Sequence, residues 1–261
     1  MNGKIDYTQV TEITGEPVSR EQIERMLTRY QWARSYCQNR EVLELACGPG
    51  QGLGYLAREA KRMVGGDYSA TLLQIARKHY RDRIPLLRLD AQSIPFRDQS
   101  FDVVLLYEAI YYLPDREAFA RECYRVLRPE GRLLLCTANK DLPDFNPSPF
   151  SFFYPNPQDF ALLLHPLGFQ LECFADFPVD YRKRKQKILS GIKKTMVRFD
   201  LMPKTMAGKK IFKRIVFGKL VPLPAELGED IEFSQHPRPI PCDQKDTTHK
   251  VIFALARKGR A

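Results

Sequence analysis

The sequence predicts an α/β fold in which a mostly parallel, seven-stranded sheet carries helices on both faces. Between residues 41 and 175, short apolar runs alternate with longer amphipathic stretches, as in repeated strand–helix–strand units. The first apolar run leads into a glycine-rich turn, which is typical of a ligand site at the end of a strand. The composition, 44% apolar and 28% charged over 261 residues, is that of an ordinary globular protein and excludes disordered and fibrous classes.

Each element of this fold has its own local signal. The apolar runs predict strands at 41–46, 62–66, 85–89, 101–107, 132–137, 169–174 and 249–256. Helical patterns fall between them at about 51–60, 69–80, 115–128 and 157–166. Ser19 and Gln22 form a capping-box pattern that opens a helix before the first strand. Ser69 is the expected N-cap of a later helix, and Pro129 and Gly131 are stop signals.

The charge is concentrated in one segment, residues 181–220, here called the basic segment. The chain has 41 basic and 31 acidic residues, and this segment holds 14 of the basic ones and one acid. The remaining residues, 27 basic and 30 acidic, carry a net charge of about −3. The order of the predicted elements, together with this charge, divides the chain into three parts. These are an N-terminal helical arm (1–40), a sheet domain (41–177 with 249–261) and a basic, proline-rich insertion (178–248).

Two interpretations of the basic segment stay open. Its apolar residues recur at helical spacing among Lys and Arg, which is typical of a helix on an anionic membrane surface. The same pattern fits a lid over a substrate pocket. Nucleic acid is disfavoured because no known RNA-binding module accompanies the charge. The chain has no apolar run of about 18 residues and no signal peptide, so we expect a cytoplasmic protein, or one that is peripheral at the membrane.

The cysteines predict neither a metal site nor a disulfide scaffold. All six lie far apart without a C-x-x-C pair, at positions 37, 47, 123, 136, 173 and 242. We therefore expect reduced and mostly buried thiols.

The most informative motif is VLELACGPGQG at 42–52. A strand that runs through a glycine turn into a helix presents backbone N–H groups to a ligand, although a tight turn alone would also need glycine. Leu53 and Tyr55 break the dinucleotide pattern G-x-G-x-x-G, and no lysine follows for a phosphate-binding P-loop. Asp67 ends the second strand, where it can accept hydrogen bonds from ribose hydroxyls, and Asp90 ends the third, beside a potential adenine amine.

These motifs together resemble the class I S-adenosylmethionine-dependent methyltransferases, in particular the small-molecule branch with the ubiquinone-type enzymes. The resemblance covers residues 41–174 and depends on four motifs in order: VLELACGPG, GGDYS, RLDAQSIPFRDQSFDVVLL and RECYRVLRPEGRLLL. It implies a Rossmann-like methyltransferase fold, S-adenosylmethionine as cofactor and an activity of class EC 2.1.1.-. Ala46 departs from the family, which usually has glycine there.

The resemblance also assigns the cofactor contacts. It places the methionine part near Ala46, Gly48 and Gly50 and the ribose at Asp67. The adenine would lie beside Tyr68, Asp90 and Ala91. Glu44 would orient the loop from below, and Tyr107 would flank the methionine. The N-terminal arm, with Tyr7, Arg29 and Tyr30, is a candidate to close over the cofactor, where an arginine could pair with its carboxylate.

The candidate catalytic residues are Glu108, Tyr111 and Tyr112, which follow the fourth strand. Relatives often have histidine in this stretch, but this chain has Tyr111 and Tyr112 there instead, so a histidine base is not expected. A base is needed only if the acceptor arrives protonated. The three residues either deprotonate or bind the substrate, or they simply line the pocket and fill the core.

The sequence therefore predicts methyl transfer from S-adenosylmethionine to a small or lipid-linked acceptor by in-line displacement. Two alternatives stay open. One is a binding or scaffold protein that keeps the fold and docks to an anionic membrane or a partner through 181–220. The other is an O-methyltransferase of sugars or polysaccharide precursors.

Overall fold

The computed structural model describes residues 7–179, 220–228 and 236–260. The helices are α1 (Arg20–Cys37), α2 (Leu53–Ala57), α3 (Ala70–Tyr80), α4 (Arg116–Val126) and α5 (Pro157–Leu164). The strands are β1 (Pro17–Ser19), β2 (Glu41–Leu45), β3 (Arg62–Asp67), β4 (Leu86–Arg88), β5 (Phe101–Tyr107), β6 (Leu127–Ala138), β7 (Phe169–Pro178), β8 (Leu220–Pro222), β9 (Arg238–Ile240) and β10 (His249–Lys258).

The main sheet confirms the predicted fold class. Its strand order is β4-β3-β2-β5-β6-β10-β7-β9, with β2 to β6 mutually parallel and β10 antiparallel to both of its neighbours. All seven predicted strands are present, and β9 adds an eighth at one edge. Pro239 is compatible with a strand here because β9 is an edge strand.

The predicted helix starts are confirmed by their hydrogen bonds. The Ser19 hydroxyl accepts from Gln22 N (3.2 Å), and the Gln22 side chain accepts from Ser19 N (2.9 Å), which completes the capping box. The Ser69 hydroxyl accepts from Leu72 N at 3.3 Å and caps α3.

The core lies in two layers, one on each face of the sheet. One layer packs α1, α2 and α3 on the sheet through side chains such as Leu53 and Phe253. The other packs α4 and α5 through side chains such as Phe119 and Phe160. Glu44 interrupts the first layer, because it alternates with Leu43 and Leu45 and faces α1. A carboxylate in an apolar layer is costly to bury and therefore indicates a functional role.

Parts of the predicted insertion 178–248 pack on the domain. Strand β8 pairs antiparallel with β1, and Leu223 and Leu227 are buried in the core. The lid and membrane interpretations fall on residues 181–219, which lie outside the described residues. Within the described ranges, no helix is both long and apolar enough to cross a membrane.

The described residues that flank 180–219, Pro178 on one side and β8 on the other, lie at the edge of the sheet where β2, β3 and β5 end. This edge is called the carboxyl edge below. Pro178 is opposite His249 in the sheet, and Val251 is opposite Ala138, the last residue of β6. The other end, β8, pairs with β1 directly before α1. The chain therefore leaves and re-enters the described structure on the same side of the sheet.

The expectation of six reduced cysteines is wrong for two of them. Cys173 and Cys242 form a disulfide with a Cα–Cα distance of 5.4 Å. They are 69 residues apart, and only the pairing of β9 with β7 brings them together. The four other cysteines, at positions 37, 47, 123 and 136, are free and buried as expected.

Candidate active site

A cavity of about 960 Å³ opens at the carboxyl edge. This volume is near the upper end of the range of about 300–1,000 Å³ for ligand pockets. One side, the sheet wall, is formed by residues that fall within 44–51, 67–72, 89–92 and 107–114. The other side, the arm wall, consists of residues 7–12 and the helix stripe Gln22, Arg25, Met26, Arg29 and Tyr30.

The loop from Ala46 to Gly52, called the cofactor loop below, joins β2 to α2 and is tied to β3. The Asp67 carboxylate accepts from Gly48 N (2.8 Å) and from Ser69 N (2.7 Å). Burial raises the pKa of Asp67, while these two N–H donors oppose the shift. Asp67 thus fixes the loop and presents its carboxylate at the end of β3, as predicted.

Three positions in this loop, Ala46, Gly48 and Gly50, have positive φ angles, and two of them are informative about the site. Ala46 has φ +53°, which explains why the related family usually has glycine there. Gly50 has φ +87°, and a Cβ there would approach the Tyr80 ring at 2.9 Å. Gly50 therefore packs against α3 and does not line the cavity, unlike the other predicted cofactor residues.

Glu44 lies at the junction of the two walls. Its Oε1 accepts from the Tyr30 hydroxyl at 2.6 Å, whereas its Oε2 has no hydrogen-bond partner among the described residues. Burial raises the pKa of Glu44 to about 7, although the Tyr30 hydrogen bond and Arg29 oppose the shift. The Tyr107 hydroxyl beside it is also buried without a partner in the described structure. Two polar atoms here thus remain open to a ligand.

An ion-pair cluster joins the arm wall to the end of β5. The Glu108 Oε1 atom is 3.6 Å from Arg29 Nη2 and 4.0 Å from Arg25 Nη2. Burial disfavours the charge on Arg29, but Glu108 and weaker charge interactions with other neighbours together outweigh burial and raise the pKa of Arg29. The Nε atoms of both arginines are buried and unpartnered within the described ranges. Glu108 itself has φ +50°, and strained backbone is common at functional sites.

Arg25 was missed by the sequence analysis, which named Arg29 alone. Gln22, Arg25, Met26 and Arg29 all line the cavity from α1. Their spacing of three and four residues places them on one side of the helix. The capping box sets the start of α1, and the helical spacing of Gln22, Arg25 and Arg29 after it is the signal in the sequence that places Arg25 beside Arg29.

Tyr111 and Tyr112 line the cavity beside Glu108. The Tyr111 hydroxyl donates to Glu108 Oε2 (3.2 Å), and its ring stacks on Tyr154 at 4.0 Å. Burial holds the pKa of Tyr111 well above its usual value and also raises that of Tyr112. The Tyr112 hydroxyl bonds Ser148 Oγ at 2.6 Å. Both phenols thus stay protonated at neutral pH, which favours binding over proton abstraction.

The remaining predicted contacts lie at the mouth of the cavity. Asp90 Oδ1 accepts from Gln92 N (2.9 Å), and Asp90, Ala91 and the half-exposed Tyr68 line the wall. Tyr7 of the arm contacts Tyr68 and Tyr112 edge-on, with ring centroids 6.4 and 5.4 Å apart. Through Tyr7 the arm thus contacts the sheet wall.

A family model described as a methyltransferase domain matches residues 43–135, which hold most of the sheet wall. These residues form a class I methyltransferase domain.

Relatives of this methyltransferase domain are similar over part of the chain. A "Probable S-adenosylmethionine-dependent methyltransferase" of Mycolicibacterium smegmatis is 34% identical over 149 residues, which are 55% of this chain and 57% of that protein. Phthiotriol/phenolphthiotriol dimycocerosates methyltransferase 1 of Mycobacterium ulcerans is 40% identical over 98 residues, or 36% of each. The chain thus spans little more than half, or less, of these curated relatives.

The fold extends further than the sequence similarity. The YcgJ protein of Bacillus subtilis superimposes with a TM-score of 0.57 at 15% identity, over 90% of this chain and 100% of that chain. At this identity the likeness shows a shared Rossmann-like methyltransferase fold and nothing about substrates.

Proposed function

We propose that this protein transfers a methyl group from S-adenosylmethionine to a small or lipid-linked acceptor. The observation that carries the proposal is a set of buried polar atoms that line one cavity and lack hydrogen-bond partners in the described structure: Glu44 Oε2, Tyr107 OH, Glu108 Oε1, Arg25 Nε and Arg29 Nε. An unsatisfied buried polar group costs about 1–3 kcal/mol, so the cavity favours a ligand that carries both charges.

The residues of the cavity fit this cofactor group by group. The guanidinium groups of Arg25 and Arg29 suit its carboxylate, and Glu44 suits its ammonium. Asp67 suits the ribose hydroxyls, because a carboxylate at the end of the second strand of the sheet domain can accept from both. Asp90, Ala91 and Tyr68 lie where the adenine is expected, next to Asp67 in the wall.

When bound, S-adenosylmethionine supplies a methyl group on a positively charged sulfur. The protein then has to align donor and acceptor and exclude water, and such positioning can contribute about 7–11 kcal/mol to catalysis. Tyr7 covers the mouth, and Tyr111 and Tyr112 form a polar aromatic wall. We assign these two tyrosines to acceptor binding, with Glu108 holding Tyr111 and the two arginines in place.

We further propose that an anionic lipid surface is the partner of the basic segment. Two observations support this: the charge of that segment and the location of Pro178 and β8, which flank it at the carboxyl edge. The name of the M. ulcerans relative, which acts on dimycocerosates, also favours a lipid-linked acceptor. Co-sedimentation of the protein with anionic vesicles at low salt tests this proposed partner. If the protein does not bind the vesicles, an anionic lipid surface is not the partner.

The activity itself is tested in two steps. Calorimetric titration with S-adenosylmethionine should give binding to the wild type. Incubation with cell lipid and polar extracts and a methyl-labelled cofactor should then label an acceptor, and its solubility separates lipid-linked from free acceptors. The absence of cofactor binding would overturn the assignment, whereas binding without any labelled product would favour the scaffold alternative.

A further inference from the structure

Tyr80, the last residue of α3, holds the back of the cofactor loop. Its hydroxyl donates to Gly50 O (2.6 Å) and accepts from Gly54 N (3.0 Å), and its side chain is fully buried. One hydroxyl therefore joins the two ends of the turn that leads from the loop into α2. The predicted contacts Ala46 and Gly48 lie in the same loop, so the position of Tyr80 bears on the cavity wall.

Residues 220–228, called the return segment, bind the same loop from outside. Leu227 N donates to Gln51 O at 2.9 Å, and Leu223 exchanges hydrogen bonds with Gly15 and Glu16 at 2.8 and 2.9 Å. Leu223 and Leu227 are 1% and 3% exposed. The return segment is thus a packed part of the domain, although it begins 168 positions after the end of the loop.

Glu226 of this segment gathers charged side chains around Tyr80. Its Oε2 atom is 2.8 Å from His79 Nε2 and accepts from Arg83 Nη2 at 2.9 Å. Burial would raise the pKa of Glu226, but the hydrogen bonds from His79 and Arg83 outweigh it and lower the pKa. The ring of His79 and the guanidinium of Arg83 lie 4.6 and 5.0 Å from the centre of the Tyr80 ring.

The same carboxylate also covers the start of α2. Its Oε1 accepts from Arg58 Nη2 at 3.5 Å, and a Cβ added at Gly54 would overlap the Glu226 side chain. Glu226 therefore contacts both helices that Tyr80 bridges. Neither residue lines the cavity, so any effect on the cofactor must pass through the loop.

We infer that Glu226 and Tyr80 are positioning residues for the cofactor loop. Glu226 holds the end of α3 against α2, and Tyr80 transmits this constraint to Gly50. The loop then presents its backbone to the cofactor in one conformation. The inference depends on the proposed cofactor for its binding readout, but the conformation of the loop can be measured without any ligand.

The test compares Glu226→Gln and Tyr80→Phe with Glu130→Gln. Glu130 is a matched control, because it also binds two arginines, Arg257 (2.8 Å) and Arg260 (2.6 Å), and lies at the opposite edge of the sheet. We expect S-adenosylmethionine to bind E226Q and Y80F on the order of 3- to 10-fold more weakly than the wild type. E130Q should bind as the wild type does.

Hydrogen exchange without cofactor gives the second readout. Amides of residues 46–54 should exchange faster in E226Q and Y80F, and those of β5 and β6 should not change. If E226Q loses thermal stability as E130Q does but keeps wild-type binding and loop exchange, Glu226 is only structural and the inference is wrong. Should E226Q not fold, Y80F removes a single oxygen and decides the question.

The two proposals fail in different ways. A wild type that does not bind S-adenosylmethionine overturns the proposed function, while faster loop exchange in E226Q would still support the positioning role. Conversely, wild-type binding with unchanged exchange in both variants overturns only the positioning role.

Discussion

The sheet wall and the arm wall of the cavity are built in different ways. The sheet wall consists of strand ends and the turns that follow them, so its residues occur in short motifs within residues 44–114. The arm wall brings α1 and residues 7–12 across the mouth. The sheet wall offers carboxylates and backbone groups that suit a nucleoside, whereas the arm wall carries two arginines whose Nε atoms are buried. Under the proposed function, recognition of the nucleoside and recognition of the amino-acid end of the cofactor should therefore be separable by mutation.

The largest expected effect is at the sheet wall. Asp67→Ala removes the proposed ribose acceptor and also the two hydrogen bonds that fix Gly48 and Ser69. Since each hydrogen bond to a charged group is worth about 1.5–3 kcal/mol, we expect binding of S-adenosylmethionine to weaken on the order of 100-fold. Calorimetric titration measures the affinity for S-adenosylmethionine, with Asp98→Ala as a surface control. Unchanged binding by D67A would remove Asp67 from the site.

A smaller effect is expected at the arm wall. Arg29→Gln removes one of the two cations proposed to bind the carboxylate of the cofactor, and Arg25 remains. Binding of S-adenosylmethionine should weaken about tenfold. Decarboxylated S-adenosylmethionine should bind the wild type and R29Q equally, because it lacks the carboxylate that Arg29 is proposed to bind. Equal losses for both ligands would show that Arg29 does not bind the carboxylate.

The pH dependence of stability tests the junction of the walls at Glu44. The folded-state pKa of about 7 is raised above the value of about 4.3 for an unfolded glutamate, so Glu44 contributes stability that is present below about pH 4.3 and lost as the pH rises to about 7. Relative to Glu44→Gln, the wild type should lose on the order of 2–3 kcal/mol of unfolding free energy over this range.

Urea unfolding without cofactor at several pH values between 4.5 and 8 measures this difference. The control Glu130→Gln should show no such trend, because hydrogen bonds from Arg260 and Arg257 lower the pKa of Glu130 and it stays ionised throughout. A pH-independent difference between wild type and E44Q would mean that Glu44 is ionised in the folded protein.

The smallest effect is expected at Ala46. Replacement by glycine relieves a φ of +53° that costs about 1–2 kcal/mol, while the greater freedom of glycine in the unfolded chain offsets about 0.5–1 kcal/mol. We expect Ala46→Gly to raise the unfolding free energy by about 0.5–1 kcal/mol with little change in cofactor binding. Thermal unfolding measures this change in stability. If A46G is less stable than the wild type, the methyl group of Ala46 contributes stabilising packing contacts.

The sequence predicted what local patterns encode. The end of β3 at Asp67, the turn after β4 that holds Asp90 and the capping box at Ser19 each depend on a few consecutive residues. The sheet and most of the sheet wall could therefore be placed in advance. Long-range pairings could not. The Cys173–Cys242 disulfide, β9 and the burial of Leu223 depend on segments far apart in the chain.

The charged part of the site shows the same limit. Arg25 became a candidate only when α1 was seen to cross the mouth of the cavity, because the sequence does not say where a helix packs. Gly50 is the reverse case, because the sequence named it but it does not line the cavity. Its place in the motif suggested a cofactor contact, but its lack of a side chain makes room for Tyr80 instead.

The hydrogen bond from Leu227 to Gln51 has a consequence for biosynthesis. A ribosome releases the strands β2 to β6 and the cofactor loop long before it adds the return segment, and domains begin to fold as they emerge. The loop is therefore synthesised early but receives its outer contacts only after residue 227. A nascent chain arrested before that point has β2 to β6 but lacks both these outer contacts and β10, which joins β6 to β7. We therefore expect it to bind S-adenosylmethionine weakly, so that the proposed activity is acquired late in translation.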